Sequence, residues 1–421
     1  MQFVVTPSAI RGGTLRVPGD KSISHRALML GAVAEGETVI DGFLPGADCL
    51  ATLTALGQLG VGVHRDPENR VRIEGVGLRG LQAPREALDL GNSGTAMRLL
   101  TGLLCAQAFD SRLVGDASLS SRPMARVIAP LGEMGAVIAS RDGRPPLQLR
   151  GGQHLRGIDY RLPVASAQVK SALLLAGLYA AGDTVVREPA VTRDHSERML
   201  QAMGADVTAA GGIVRLSPGR PLRGRRVRVP ADLSSATFPL LAALIAEDAA
   251  VTLTDVGINP TRDGVLRILR EMGGDIRLCN ERVYAGEPVA DIEARASTLR
   301  GIEVDPALVP LAIDEFPALF IAAACARGTS IFRGLEELRV KESDRIRTMV
   351  RGLQALGVAV EETPDGARIR GGSLTAGEVD SHGDHRIAMA FAVAATRAAG
   401  EVRVRDTAAV DTSFPGFAHC M

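Results

Sequence analysis

Val17-Pro18-Gly19-Asp20-Lys21-Ser22-Ile23-Ser24-His25-Arg26-Ala27-Leu28-Met29-Leu30 is the stretch on which the fold turns. A strand from Thr14 to Val17 runs into a Pro-Gly pair. A lysine, two serines, a histidine and an arginine follow within six positions, and the apolar run after them reads as a buried helix. Free backbone N–H groups and the positive end of the helix dipole make such a start favourable for an anion. The layout returns five times: LDLGNSGTAMRLLTGLLCA from Leu88, LPVASAQVKSALLLAGLYAAGDTV from Leu162, VPADLSSATFPLLAALIAEDAAV from Val229, LAIDEFPALFIAAACARGTSI from Leu311 and DSHGDHRIAMAFAVAATRAAGEV from Asp380. Each helix is rich in small residues and apolar on nearly every face, so each should be buried.

A second, amphipathic helix follows in most copies and ends in a Leu-Gly or Met-Gly turn into a strand. The examples begin at Ala47, Arg122, Thr192, Thr261 and Lys341. Glycine caps each helix, and alternating β-branched residues follow. The sixth copy retains only TSFPGFAHCM, so its second helix should be stunted or absent. The expected fold is α/β (α+β), with six βαβαββ repeats, three per domain, around buried parallel helices. The first domain should comprise residues 1–20 and 230–421, including the N-terminal strand; the second should comprise 21–229. Two crossings of the chain, near Gly19-Asp20 and Val229-Pro230, make a hinge and a cleft between domains the expected place for substrate.

Composition supports this plan. A chain of 421 residues suits two domains. At 46% hydrophobic and 23% charged it can bury a large core. Lys+Arg and Asp+Glu number 48 each, a balance that argues against a nucleic-acid or membrane-surface partner. The first ten residues do not read as a signal peptide, and no apolar run approaches the ~20 residues of a membrane span. The five cysteines are odd in number, far apart and without metal-ligand spacing, which suits reduced thiols in the cytoplasm. A cytoplasmic monomer working without metal or cofactor is the expectation.

Only three of the 48 basic residues are lysines: Lys21, Lys170 and Lys341. A compact, tunable ammonium rather than a guanidinium fork would explain some of these positions. Lys170, inside an apolar helix, reads as a site residue or a snorkelling surface residue, with the second reading preferred. The helix starts gather Lys21, Ser22, Arg26, Asn92, Ser93, Gly94, Thr95, Ser166, Gln168, His385 and Arg386, and the amphipathic helices add Arg122, Arg193, Lys341 and Arg345. Individually the serines, Asp and Asn pass for N-caps; as a set they could hold phosphates or carboxylates. Asp314, at a helix start, and Glu342, between Lys341 and Arg345, supply carboxylates for proton transfer, although Asp314 also passes for a cap and Glu342 for an ion-pair partner.

The motifs PGDKSISHRA, LGNSGTAMRLL, SSRPM, ASAQVKSALLLAGL, TRDHSE, IDEFP, LRVKESDRI and GDHRIAMA together closely resemble the 5-enolpyruvylshikimate-3-phosphate synthases, over essentially the whole chain. The closer branch has Ser-Ile-Ser-His-Arg and Ser-Ala-Gln. The resemblance implies two domains of three βαβαββ units each. It also implies transfer of the enolpyruvyl group of phosphoenolpyruvate to the 5-hydroxyl of shikimate 3-phosphate, through a tetrahedral ketal and without cofactor. By motif position, Lys21, Ser22, Arg26, Ser166, Ala167, Gln168, Arg193, Asp314 and Lys341 would hold shikimate 3-phosphate. Lys21, Gly94, Arg122, Gln168, Arg345, His385 and Arg386 would hold phosphoenolpyruvate. Asp314, Glu342 and Lys21 would move protons. Family members that tolerate the inhibitor glyphosate often carry alanine where this chain has Gly94. The sister transferase acting on UDP-N-acetylglucosamine uses a cysteine on the loop where this chain has Ser118-Leu119-Ser120-Ser121.

Overall fold

A computed structural model of the chain describes residues 1–7, 10 and 12–420; residues 8, 9, 11 and 421, all in the expected first domain, lie outside that description. Two compact units emerge. An internal unit holds Gly19–Val229 with Val283–Glu287, and a terminal unit holds Met1–Pro18, Pro230–Arg282 and Pro288–Met421. Gly19 and Asp20 thus group with the internal unit. So do Val283–Glu287, for which no sequence signal stands.

Each unit has its own core, built around three apolar helices. In the internal unit these are Lys21–Ala32, Gly94–Leu104 and Ala167–Gly177. In the terminal unit they are Leu233–Ile245, Phe316–Cys325 and His385–Ala395. Every residue of Leu233–Ile245 is buried. Small residues let these helices lie close together. A Cβ at Gly102 would sit 2.2 Å from the Ala172 carbonyl oxygen, so only glycine permits the contact between the second and third internal helices.

Side-chain oxygens cap five of the six helices by accepting from backbone N–H groups. Asp20 accepts from Ile23, Ser93 from Ala96, Ser166 from Val169, Asp232 from Ser234 and Asp384 from Arg386. Amphipathic helices at Ala47–Gln58, Ala125–Glu133, His195–Ala202, Gly264–Glu271 and Arg345–Ala355 follow the inner ones in sequence.

The sheets close in a circular manner. In the internal unit, Glu35–Asp41 pairs antiparallel with Val71–Val76. Its other edge pairs parallel with Arg226–Arg228, the far end of the third copy. In the terminal unit, Gly13–Leu15 runs parallel to Ala250–Gly257 and so completes the sheet of the fourth copy. Sequence reading missed one strand, Gln2–Val5. It pairs antiparallel with Val402–Arg405, filling the place that the shortened sixth copy leaves open. Beyond Val402–Arg405 the described residues hold only a 3₁₀ turn at Ala408–Thr412 and a short helix at Phe417–Cys420. Phe417 packs on Phe3, Phe238 and Phe414, with ring centroids 5.9, 6.1 and 5.4 Å away.

Among the described residues no helix is long and apolar enough to cross a membrane. The five cysteines are unbridged. Burial pushes the Cys105 and Cys325 thiols up to about 12, which leaves them protonated and unreactive near neutral pH.

Candidate active site

In the internal unit, the three helix starts carry two linked clusters. Arg26 is 4% exposed, and each of its three guanidinium nitrogens donates a hydrogen bond. Its Nε donates to Ser196 Oγ and its Nη2 to Ser171 Oγ, both at 2.7 Å, and its Nη1 donates to the Ser22 carbonyl at 3.0 Å. Ser196 and Ser171 are themselves 2.7 Å apart, so one arginine ties the first helix to the Ala167–Gly177 and His195–Ala202 helices. Burial lowers the guanidinium to about 10, against the pull of Glu197 and Asp20, and it stays charged at neutral pH. Lys21 opens the first helix and pairs with Asp48, which is 6% exposed. Next to them, His25 donates or accepts at Thr52 Oγ1 through Nδ1 at 2.8 Å. Burial, then Lys21 and Arg26, hold its pKa well below the ordinary value, so it is neutral.

The second cluster surrounds Gly94. Gln168 accepts from Arg98 Nη1 at 2.8 Å and donates to Thr95 Oγ1 at 2.9 Å, which fixes its amide between two helices. Arg122, 7% exposed, donates through Nη2 to Asn92 Oδ1 and to Ser118 Oγ. Asn92 in turn donates to Asp116 at 2.7 Å. Gly94 lies between the two arginines: a Cβ there would be 3.0 Å from Arg98 Nη1 and 3.2 Å from Arg122 Nη1. Ser166 is a cap, at 3.4 Å from Val169 N, and Ala167 is the first residue of its helix. Arg193 lies half-buried in the segment before the His195–Ala202 helix.

In the terminal unit, the candidates converge on Asp314. The helix beside it begins at Phe316 with Glu315 at the cap position, so Asp314 is not the cap. Its Oδ1 lies 3.8 Å from Lys341 Nζ and 3.5 Å from Arg345 Nη1, and its Oδ2 lies 4.0 Å from Arg386 Nη2. Its carbonyl accepts from Arg386 Nη1 at 3.1 Å. Arg345 is 1% exposed. It donates to Glu342 Oε2 at 2.6 Å and to Asp384 Oδ2 at 2.8 Å. Burial alone would lower its pKa, but Asp384, Glu342 and Asp314 outweigh burial and hold it above the ordinary value. Glu342 is therefore an ion-pair partner, and at 24% side-chain exposure it is also open to a ligand. His385 is buried as the first residue of its helix.

A family model of EPSP synthase (3-phosphoshikimate 1-carboxyvinyltransferase) matches residues 5–421. The chain belongs to the EPSP synthase family. A 3-phosphoshikimate 1-carboxyvinyltransferase of Alkalilimnicola ehrlichii is 61% identical over 419 residues, covering 99% of this chain and 94% of that protein. One of Acidithiobacillus ferrooxidans is 58% identical, covering 99% and 96%. A solved EPSP synthase from Acinetobacter baumannii superposes with a TM-score of 0.90 at 52% identity, covering 100% of this chain and 97% of that one.

Set against this EPSP synthase frame, several supporting residues escaped sequence reading. Asp384, fully buried, holds Arg345 and accepts from Ser343 Oγ at 3.1 Å. Glu315 accepts from Ser234 Oγ and lies 3.7 Å from Arg262 and 3.9 Å from Arg386. Asp48 and Arg98 do the same for Lys21 and Gln168. Asp384, a capping residue next to His385-Arg386, and Glu315, beside Asp314, had a signal; Asp48 and Arg98 meet Lys21 and Gln168 only through folding. One reading is corrected. Lys170 is 1% exposed and does not snorkel: its Nζ lies 2.9 Å from Glu188 Oε2 and 2.7 Å from Glu197 Oε1, an anionic pocket that makes burial tolerable.

Proposed function

We propose that this chain transfers the enolpyruvyl group of phosphoenolpyruvate to the 5-hydroxyl of shikimate 3-phosphate and releases phosphate, as a monomer in the cytoplasm. The observation that carries the chemistry is Asp314. It is a partly open carboxylate facing Lys341, Arg345 and Arg386, with Glu342 on the same arginine. Shikimate 3-phosphate is held by Lys21, Ser22, Arg26, Ser166, Ala167, Gln168, Arg193, Asp314 and Lys341. Ser166 keeps a hydroxyl proton to donate while it caps its helix; Ala167 has only the backbone N–H of a helix start to offer. Phosphoenolpyruvate is held by Lys21, Gly94, Arg122, Gln168, Arg345, His385 and Arg386. Arg345 is charged at any working pH and suits a ligand that never loses its negative charge.

In the first step the methylene carbon of phosphoenolpyruvate gains a proton and becomes a methyl group. The 5-oxygen then bonds to the adjacent carbon while Asp314 accepts the hydroxyl proton, giving a tetrahedral ketal. In the second step the methyl group returns a proton, the carbon–carbon double bond re-forms, and the bond to phosphate breaks. Glu342, with Lys21, carries the proton to and from the methylene carbon. Phosphate release should require both phosphoenolpyruvate and shikimate 3-phosphate. Release from phosphoenolpyruvate alone, or with UDP-N-acetylglucosamine in place of shikimate 3-phosphate, would overturn the reading.

Gly94 sets the room left for a ligand longer than phosphoenolpyruvate. An added methyl would press on the ends of Arg98 and Arg122, at 3.0 and 3.2 Å, and would project where the ligand lies. Glyphosate should therefore inhibit this chain competitively with phosphoenolpyruvate. Gly94→Ala should raise its inhibition constant by a larger factor than it raises the KM for phosphoenolpyruvate, because the shorter ligand can shift. Equal factors in a competitive assay would place Gly94 away from the distal end of the inhibitor.

A further inference from the structure

We propose that Lys170 is a positioning residue for shikimate 3-phosphate: its buried ammonium clamps the segment that carries Arg193 to the helix that carries Ser166 and Gln168. The proposal rests on the assignment of those residues to that substrate.

One ammonium meets three oxygens, two through hydrogen bonds and one through an ion pair. Nζ lies 2.9 Å from Glu188 Oε2, 2.7 Å from Glu197 Oε1 and 3.3 Å from the Thr192 carbonyl. The other oxygen of Glu188 accepts from the Thr192 backbone N–H at 3.2 Å and from its hydroxyl. Thr192 is thus held from both sides, and Arg193 is the next residue. The segment from 188 to 194 has neither helix nor strand, so no backbone ladder fixes Arg193. At the other end, Lys170 N donates to the Ser166 carbonyl at 3.1 Å, which places the clamp one turn from the helix start.

The clamp also meets the Arg26 cluster. Ser171 follows Lys170, Ser196 precedes Glu197, and those two serines are the ones Arg26 grips. Side-chain exposures of 1%, 2% and 3% for Lys170, Glu188 and Glu197 shield these charges from bulk solvent. Lys170 with Arg26 against Glu188 with Glu197 is a neutral set. Burial raises the pKa of Glu197, and Lys170 opposes that rise. An arginine would not replace this lysine, because a planar fork cannot meet three acceptors around one nitrogen.

The test separates position from charge balance. Lys170→Met alone strands a carboxylate and should lower Tm. The double variant Lys170→Met with Glu197→Gln restores neutrality and should recover Tm, yet the clamp is still missing. Its KM for shikimate 3-phosphate should stay at least ~10-fold raised while its KM for phosphoenolpyruvate stays within about 2-fold of the parent. A parental KM for shikimate 3-phosphate in the double variant, or an equal rise in both constants, overturns the proposal. If the double variant does not fold, Glu188→Gln carries the test: it keeps the shape, and an unchanged KM for shikimate 3-phosphate overturns the clamp. Arg193→Ala is the control. If it raises that KM and the clamp variants do not, the clamp alone is wrong. If it leaves the KM unchanged, the assignment of Arg193 fails and the proposal falls with it.

Discussion

Asp314→Asn should lower kcat on the order of 10³-fold, about 4 kcal/mol of barrier, while the KM for phosphoenolpyruvate changes little. The substitution is nearly isosteric. The contact from Arg386 Nη1 goes to the Asp314 carbonyl, not to its side chain, and so survives. Asp314 caps no helix, and its side chain is 16% exposed, so an amide there should not unfold the chain. What disappears is a base. Lys341, Arg345 and Arg386 stand 3.5 to 4.0 Å from its oxygens, around the place proposed for the reacting hydroxyl. An amide cannot take the hydroxyl proton of the acceptor as a carboxylate can. Steady-state kinetics with saturating substrates decide it. A raised KM with parental kcat would make Asp314 a positioning residue for the three cations rather than a base.

Lys21→Arg should lower turnover by at least ~100-fold, about 2.7 kcal/mol. Charge is conserved in this change and geometry is not. The ammonium of Lys21 reaches Asp48, a carboxylate 6% exposed on the Ala47–Gln58 helix, and the lysine side chain is itself 18% exposed. A guanidinium would take Asp48 with two nitrogens and turn its plane across the space a ligand needs. It could not give up a proton either, since arginine stays charged throughout the working range. Near-parental kcat in the arginine variant would remove both arguments and reduce Lys21 to a point charge.

The helices were legible because what makes them is local. Ala27-Leu28-Met29-Leu30 or Phe320-Ile321-Ala322-Ala323 is apolar on all faces wherever it occurs, so burial follows from a few residues and repetition supplies the architecture. The strand Gln2–Val5 was not legible, since its partner Val402–Arg405 lies at the opposite end of the chain. Site residues divide along the same line. Lys21, Arg26, Asp314 and Arg386 stand at helix starts that sequence displays. Their partners Asp48, Ser196, Lys341 and Glu315 meet them through folding alone, except for Glu315 beside Asp314. Lys170 was misread for this reason: its helix is apolar for several residues on either side, and the two glutamates that make it tolerable lie 18 and 27 positions further on.

Circular closure of the sheets governs the order in which the chain can fold as it leaves the ribosome. Glu35–Asp41 cannot gain its parallel neighbour until Arg226–Arg228 has been made. Gln2–Val5 must wait for Val402–Arg405. At ~5–20 residues per second, the first strand stays without its native partner for roughly 20–80 s. Through that interval a short segment carrying Phe3, Val4 and Val5 is exposed and open to wrong pairing. Completion of the terminal unit therefore waits for the sixth copy, and a nascent chain stalled before Val402 has no native strand for Gln2–Val5 to pair with.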